Sequence, residues 1–142
     1  MPSFTAHIAN LQSLGPILEV GISVHHIVAN KLKEQGKSAP IIRVAAMIDT
    51  GATSSAITPE IVKKLGIFPV GRVNIKTPSH ESFPAYQYHI VIALPNDVLI
   101  NTTEVIEVPL AGQHIQCLIG RDILKYGVLI YNGYSETVTF SI

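Results

Sequence analysis

Asp49-Thr50-Gly51-Ala52-Thr53 is the segment of this chain best suited to chemistry. It follows the apolar run Ile41 to Ile48 and precedes a helix signal at Thr58. A strand would therefore present the carboxylate at its end, with a glycine beside it that allows close backbone approach. Average residue usage puts this pentapeptide in roughly one chain in a thousand of this length by chance. A plain strand-end turn would also use Asp and Gly. A second stretch, Gln116-Cys117-Leu118-Ile119-Gly120-Arg121-Asp122, weakly echoes the first: each is an apolar strand that ends at a glycine and runs into a short helix. Carboxylates activate water when two share one proton, one acting as base and the other as acid. The chain holds a single Asp-Thr-Gly, so the pair requires a second copy about a two-fold axis.

Other reactive residues form no such pattern. His7, His25, His26, His80, His89 and His114 are scattered without zinc-ligand spacing. His25 and His26, read as strand residues, would point to opposite faces and could not share a metal, so neither metal nor cofactor is expected. Cys117 cannot pair internally, and its apolar strand predicts a buried, inert thiol. No Gly-x-Ser-x-Gly and no phosphate-binding loop is present.

The elements that position Asp49 must come from one domain, residues 1–142. Ten basic residues balance ten acidic ones, which removes the electrostatic footprint of a nucleic-acid binder. Charged residues are 14%, below the ~25% of ordinary soluble domains, and hydrophobic residues are 47%. That balance suits a large core or a surface covered by a partner subunit. No apolar run is long enough to span a membrane. The lone cysteine and the absence of a basic, apolar leader before Lys31 fit a cytoplasmic setting.

Short apolar runs punctuated by Gly, Pro and Asn predict an all-β domain with two short helices. Strands are expected at Ile17 to Val24, Ile41 to Ile48 (buried on both faces), Val73 to Thr77, Tyr86 to Leu94, Val98 to Val108, Ile115 to Ile119 and Val128 to Tyr131. A last strand, through Val138, Phe140 and Ile142, follows an Asn132-Gly133 turn. One helix starts at Thr58-Pro59-Glu60 and stops at Gly66; the other spans Arg121 to Tyr126. Asn30 to Pro40 reads as an exposed hairpin loop.

AAMIDTGATSSAITPEIVKKLGI resembles the active-site region of retropepsin-like aspartic proteases, and CLIGRDIL resembles their second hallmark. The hairpin GVLIYNG…TVTFSI is more similar to cellular, ubiquitin-shuttle-type members than to viral ones. The resemblance implies a closed acid-protease barrel, one lobe per chain, active as a homodimer on peptide or protein substrates. It implies Asp49 as the catalytic carboxylate, with Thr50 fixing the loop through its hydroxyl and Gly51 admitting substrate. Ala52, Thr53 and Ser54 would line the substrate. Met47, Ala56 and Leu118 would form apolar pocket walls, and Gly120, Arg121 and Asp122 would be structural. A flap is implied near Lys76 to Phe83, with Pro78, Ser79 and His80 at a tip where relatives are usually glycine-rich. Thr53 and Ser54 stand where retroviral enzymes usually carry acids, so Arg121 would lose its acidic partner. Ala52 cannot donate a hydrogen bond to the carboxylate, which implies an optimum nearer about pH 5 than about pH 2. Ser3 to Ile8 and Val138 to Ile142 are interface strands by the same analogy. The alternative on this fold is a dimeric peptide-binding module without catalysis.

Overall fold

The computed structural model describes residues 2–76, 79 and 81–142, and of Thr103 the backbone alone. Among the described residues, ten strands and four α-helices follow in the order β1 (Ser3–His7), α1 (Leu11–Leu14), β2 (Ile17–Val24), α2 (His26–Glu34), β3 (Ile41–Ile48), β4 (Ala56–Ile57), α3 (Pro59–Leu65), β5 (Gly71–Lys76), β6 (Ser82–Leu94), β7 (Val98–Glu107), β8 (Cys117–Ile119), α4 (Arg121–Leu124), β9 (Val128–Asn132) and β10 (Thr137–Ser141), with a short 3-10 turn at Pro95–Asp97 between β6 and β7. Six strands close a barrel in the order β2-β3-β8-β4-β7-β6, with β6 pairing back onto β2. Strand β5 hangs on β6 as an edge hairpin. A separate sheet, β1-β10-β9, covers one end.

Period-two patterning builds the barrel. In β6, Tyr88, Ile90, Ile92 and Leu94 point inward; in β2, Leu18, Val20, Ile22 and Val24 meet them. Strand β3 departs from the expectation of burial on both faces. Val44, Ala46 and Ile48 are buried, but Ile41 is 68% exposed. The cause is its neighbour β8, whose three residues pair only with Ala46, Met47 and Ile48. The first half of β3 is thus covered from one side alone.

Helix α3 forms where expected. Thr58 takes the N-cap backbone conformation, Pro59 opens the helix, and Gly66 closes it with φ 64°. The Thr58 hydroxyl makes no cap hydrogen bond. Helix α4 is also as expected, though shorter. Two more helices were not expected. Asn30 to Pro40 is no hairpin loop: its first residues complete α2, which ends in a Schellman arrangement with Gly36 N–H to Lys33 O and Lys37 N–H to Leu32 O. His25 and His26 accordingly sit at a helix start, not on opposite faces of a strand.

The terminal segments pair within one chain. β1 lies antiparallel to β10 (Phe4 opposite Phe140), and β10 lies antiparallel to β9. Both edges of β10 are therefore occupied, which leaves only the β1 and β9 edges, or a sheet face, for a partner. The turn after Asn132 spans four residues, and its left-handed residue is Glu136, φ 53°, rather than Asn132.

Candidate active site

The two echoing segments lie side by side. β3 and β8 run parallel, with Ala46 opposite Cys117, Met47 opposite Leu118 and Ile48 opposite Ile119. Each strand thus delivers its loop to the same end of the barrel. Asp49 leaves β3 half-buried, its N–H bonded to Ile119 O at 2.9 Å. One carboxylate oxygen, Oδ1, accepts the Gly51 N–H at 2.9 Å. A Cβ at Gly51 would stand 3.1 Å from that same oxygen, so a side chain there would crowd the carboxylate.

The start of α4 locks the loop. Arg121 N–H donates to Ala52 O at 2.9 Å, and Asp122 N–H to Thr53 O at 3.2 Å. Gly120 lies so close that a Cβ would meet the Ser54 carbonyl carbon at 2.8 Å and Ala52 O at 3.0 Å. The Arg121 guanidinium donates to Thr50 O at 2.7 Å and to Thr53 Oγ1 at 3.2 Å. Neutral oxygens of the loop itself thus stand in for the missing acid. Beneath them Ser55, fully buried, donates its N–H and its hydroxyl to the Asp122 carboxylate, the latter at 2.7 Å. Ser55 Oγ also accepts the Gly120 N–H at 2.9 Å, and Asp122 Oδ1 accepts the Ile123 N–H. Sequence reasoning missed Ser55, because a lone serine beyond the loop carries no pattern of its own.

Asp49, Thr50 and Met47 border one cavity of about 430 Å³, with Pro16, Leu129, Tyr131 and Val138 as further walls. These last four carried no signal in the sequence; the β9–β10 hairpin brings three of them in. Leu118 is the direct cross-strand neighbour of Met47 on one side and of Ala56 on the other, so the three share one face. Met47 and Leu118 are half-buried there, whereas Ala56 is buried. Ser54 borders a different, small polar cavity of about 130 Å³, with Asp122 and Lys125. Ser79 is exposed in the β5–β6 turn; Pro78 and His80 lie outside the described residues.

Cys117 is fully buried in β8, and burial, reinforced by the Asp122 charge, pushes its thiol up to about 12. An alkylating reagent is therefore expected to leave the folded chain unmodified at neutral pH and to label it once denaturant unfolds it. Mass spectrometry along a denaturant series checks this; rapid labelling of the native chain would show that β8 opens locally. Among the described residues, no group of three or more His, Cys, Asp or Glu is placed to hold a metal ion. No helix among them is long and apolar enough to cross a membrane.

A closed six-stranded barrel whose Asp-Thr-Gly loop is clamped by a Gly-Arg-Asp helix start defines an acid-protease fold of one lobe. A family model described as "gag-polyprotein putative aspartyl protease" matches residues 42–126, more than half of the chain. The chain belongs to this family of retroviral-type aspartic proteases. The retropepsin-like aspartic protease from Rickettsia conorii superposes with a TM-score of 0.56 at 15% identity, covering 98% of this chain and 91% of that one. The retroviral protease-like domain of Ddi1 from Leishmania major matches with a TM-score of 0.45 at 15% identity, covering 89% of this chain and 93% of its own. No curated protein sequence matches.

Proposed function

We propose that the chain is an aspartic endopeptidase that works as a homodimer, each copy giving one Asp49 to a shared dyad. The observation that carries this is the Asp49 carboxylate, held by Gly51 N–H at a strand end and bordering a cavity. One carboxylate takes a proton from water as that water attacks the scissile carbonyl; the other, protonated, gives its proton to the carbonyl oxygen. Collapse of the tetrahedral intermediate then passes a proton to the leaving nitrogen.

Thr50, exposed beside Asp49, would reach the partner's loop through its hydroxyl. Met47 and Leu118, both half-buried, would favour apolar side chains around the scissile bond, with Ala56 buried behind them. Thr53 can donate its hydroxyl proton to substrate while accepting from Arg121. Ser54 would hydrogen-bond substrate backbone, and the β5–β6 turn would close over an extended peptide. No cofactor takes part. In a cytoplasmic setting the buried Cys117 stays a thiol.

Cleavage of a diverse peptide library across a pH series, read by mass spectrometry, tests the reading. Products are expected with a rate maximum near about pH 5, because Ala52 offers the carboxylate no hydroxyl donor. Ala52→Ser, which supplies a hydroxyl donor, is expected to move the acid limb of the profile down. A maximum below about pH 3 in the native chain would contradict the Ala52 argument. No cleavage at any pH, in a chain that sediments as a dimer, would favour the peptide-binding module instead.

A further inference from the structure

Away from Asp49, at the opposite end of β2 and β3, three imidazoles gather where β2 passes into α2. The rings of His25 and His26 lie 4.1 Å apart, and those of His25 and His89 5.5 Å apart. His25 is the N-cap of α2, and its Nδ1 accepts the Ile27 N–H in a long bond of 3.4 Å. That bond needs the neutral ring. The buried Nδ1 of His89 has no hydrogen-bond partner. Helix α2 is lightly held: none of its residues is fully buried, and Ile27 is 54% exposed. Under it lies an apolar cavity of about 460 Å³ bordered by Val24, Leu32, Leu65, Ile67, Val70 and His89.

We propose that His25, packed beside His26 and His89, is a pH-operated latch: neutral, it holds α2 on the barrel; protonated, it releases the first turn of α2 and opens the apolar cavity. Three effects act in the same direction. A protonated Nδ1 cannot accept, so the cap is lost. Positive charge at a helix N-terminus opposes the helix dipole. Like charges within a few ångströms repel. Burial first, and then His26 and His89, hold the His25 imidazole below its ordinary 6.5. The released ring binds protons at its ordinary value, so the released form takes up more of them. Docking of α2 is thus full well above pH 6.5 and weakens as pH falls below it. Among the described residues, the charged groups acting on His25 are His26 from α2 and His89 from β6. The cavity walls from β2 (Val24) and from the α3–β5 segment (Leu65, Ile67, Phe68, Val70) are not titratable. The latch is separate from the dyad and does not depend on catalysis.

Hydrogen–deuterium exchange on the full chain, corrected for intrinsic rates, tests it. Between about pH 7.5 and about pH 5, protection of residues 26–34 is expected to fall by ~tenfold, while β2 and β3 keep theirs. A triple variant, His25→Asn with His26→Gln and His89→Gln, keeps a capping side chain and removes all three imidazoles, and should hold α2 equally at both pH values. Equal protection of α2 in the native chain at both pH values would overturn the latch. So would the same loss in the triple variant. Should that variant not fold, NMR titration of the native chain decides. His25 ring signals and α2 amides moving with one midpoint support the latch, and α2 amides that stay fixed while His25 protonates overturn it.

Discussion

Asp49→Asn is expected to lower peptide cleavage by ~10³-fold or more while leaving the chain folded and its oligomeric state unchanged. An amide cannot exchange the proton that the proposed dyad would pass between water and carbonyl. It can still accept the Gly51 N–H through its own Oδ1, so the loop should keep its shape. Since the substitution is nearly isosteric, its melting temperature should stay within a few degrees of the native chain's. Parallel peptide-library digests of the two proteins check this, with products assigned by mass. Cleavage that survives the substitution would move the chemistry away from Asp49.

Asp122→Ala is expected to be the most destabilising single change around the loop, at about 3 kcal/mol. Its carboxylate accepts three donors: the N–H and hydroxyl of Ser55 and the N–H of Ile123. Ser55 is fully buried, so water cannot replace those bonds without opening the barrel end. Each donor left unpaired costs ~1–3 kcal/mol, partly recovered where the structure relaxes. Asp122→Asn keeps an acceptor oxygen and should lose only about half as much. Urea unfolding at unchanged m-value measures both. A loss under about 1 kcal/mol for the alanine variant would mean that the clamp on the loop lies elsewhere.

The parts of this molecule legible in its sequence are those where one residue type has one physical reason to be there. Thr58-Pro59-Glu60 and Gly66 bracket α3 because caps and positive φ are chemically narrow demands. Asp49-Thr50-Gly51 and Gly120-Arg121-Asp122 stood out for the same reason. Their echo has a geometric cause, two parallel neighbouring strands delivering two loops to one place. Helix α2 was hidden because it buries no residue fully and is capped by a histidine, so neither its apolar stripe nor its start gave the usual sign. The half-open face of β3 depends on the shortness of β8, some seventy residues away, and no local pattern records that. Ser55 was silent because its role comes from Asp122, which lies close in space and far in sequence. The flap expectation at Pro78 and His80 falls outside the described residues.

The shared dyad is the central claim, and subunit mixing tests it most directly. Native chain is refolded with increasing amounts of Asp49→Asn chain, and cleavage is expressed per native chain. If each active site needs an Asp49 from both copies, mixed dimers are inactive. Activity per native chain should then fall to about half at equal amounts and to about a tenth at ninefold excess. Activity per native chain that stays constant across the series would show that one copy carries the whole site, and would contradict the account.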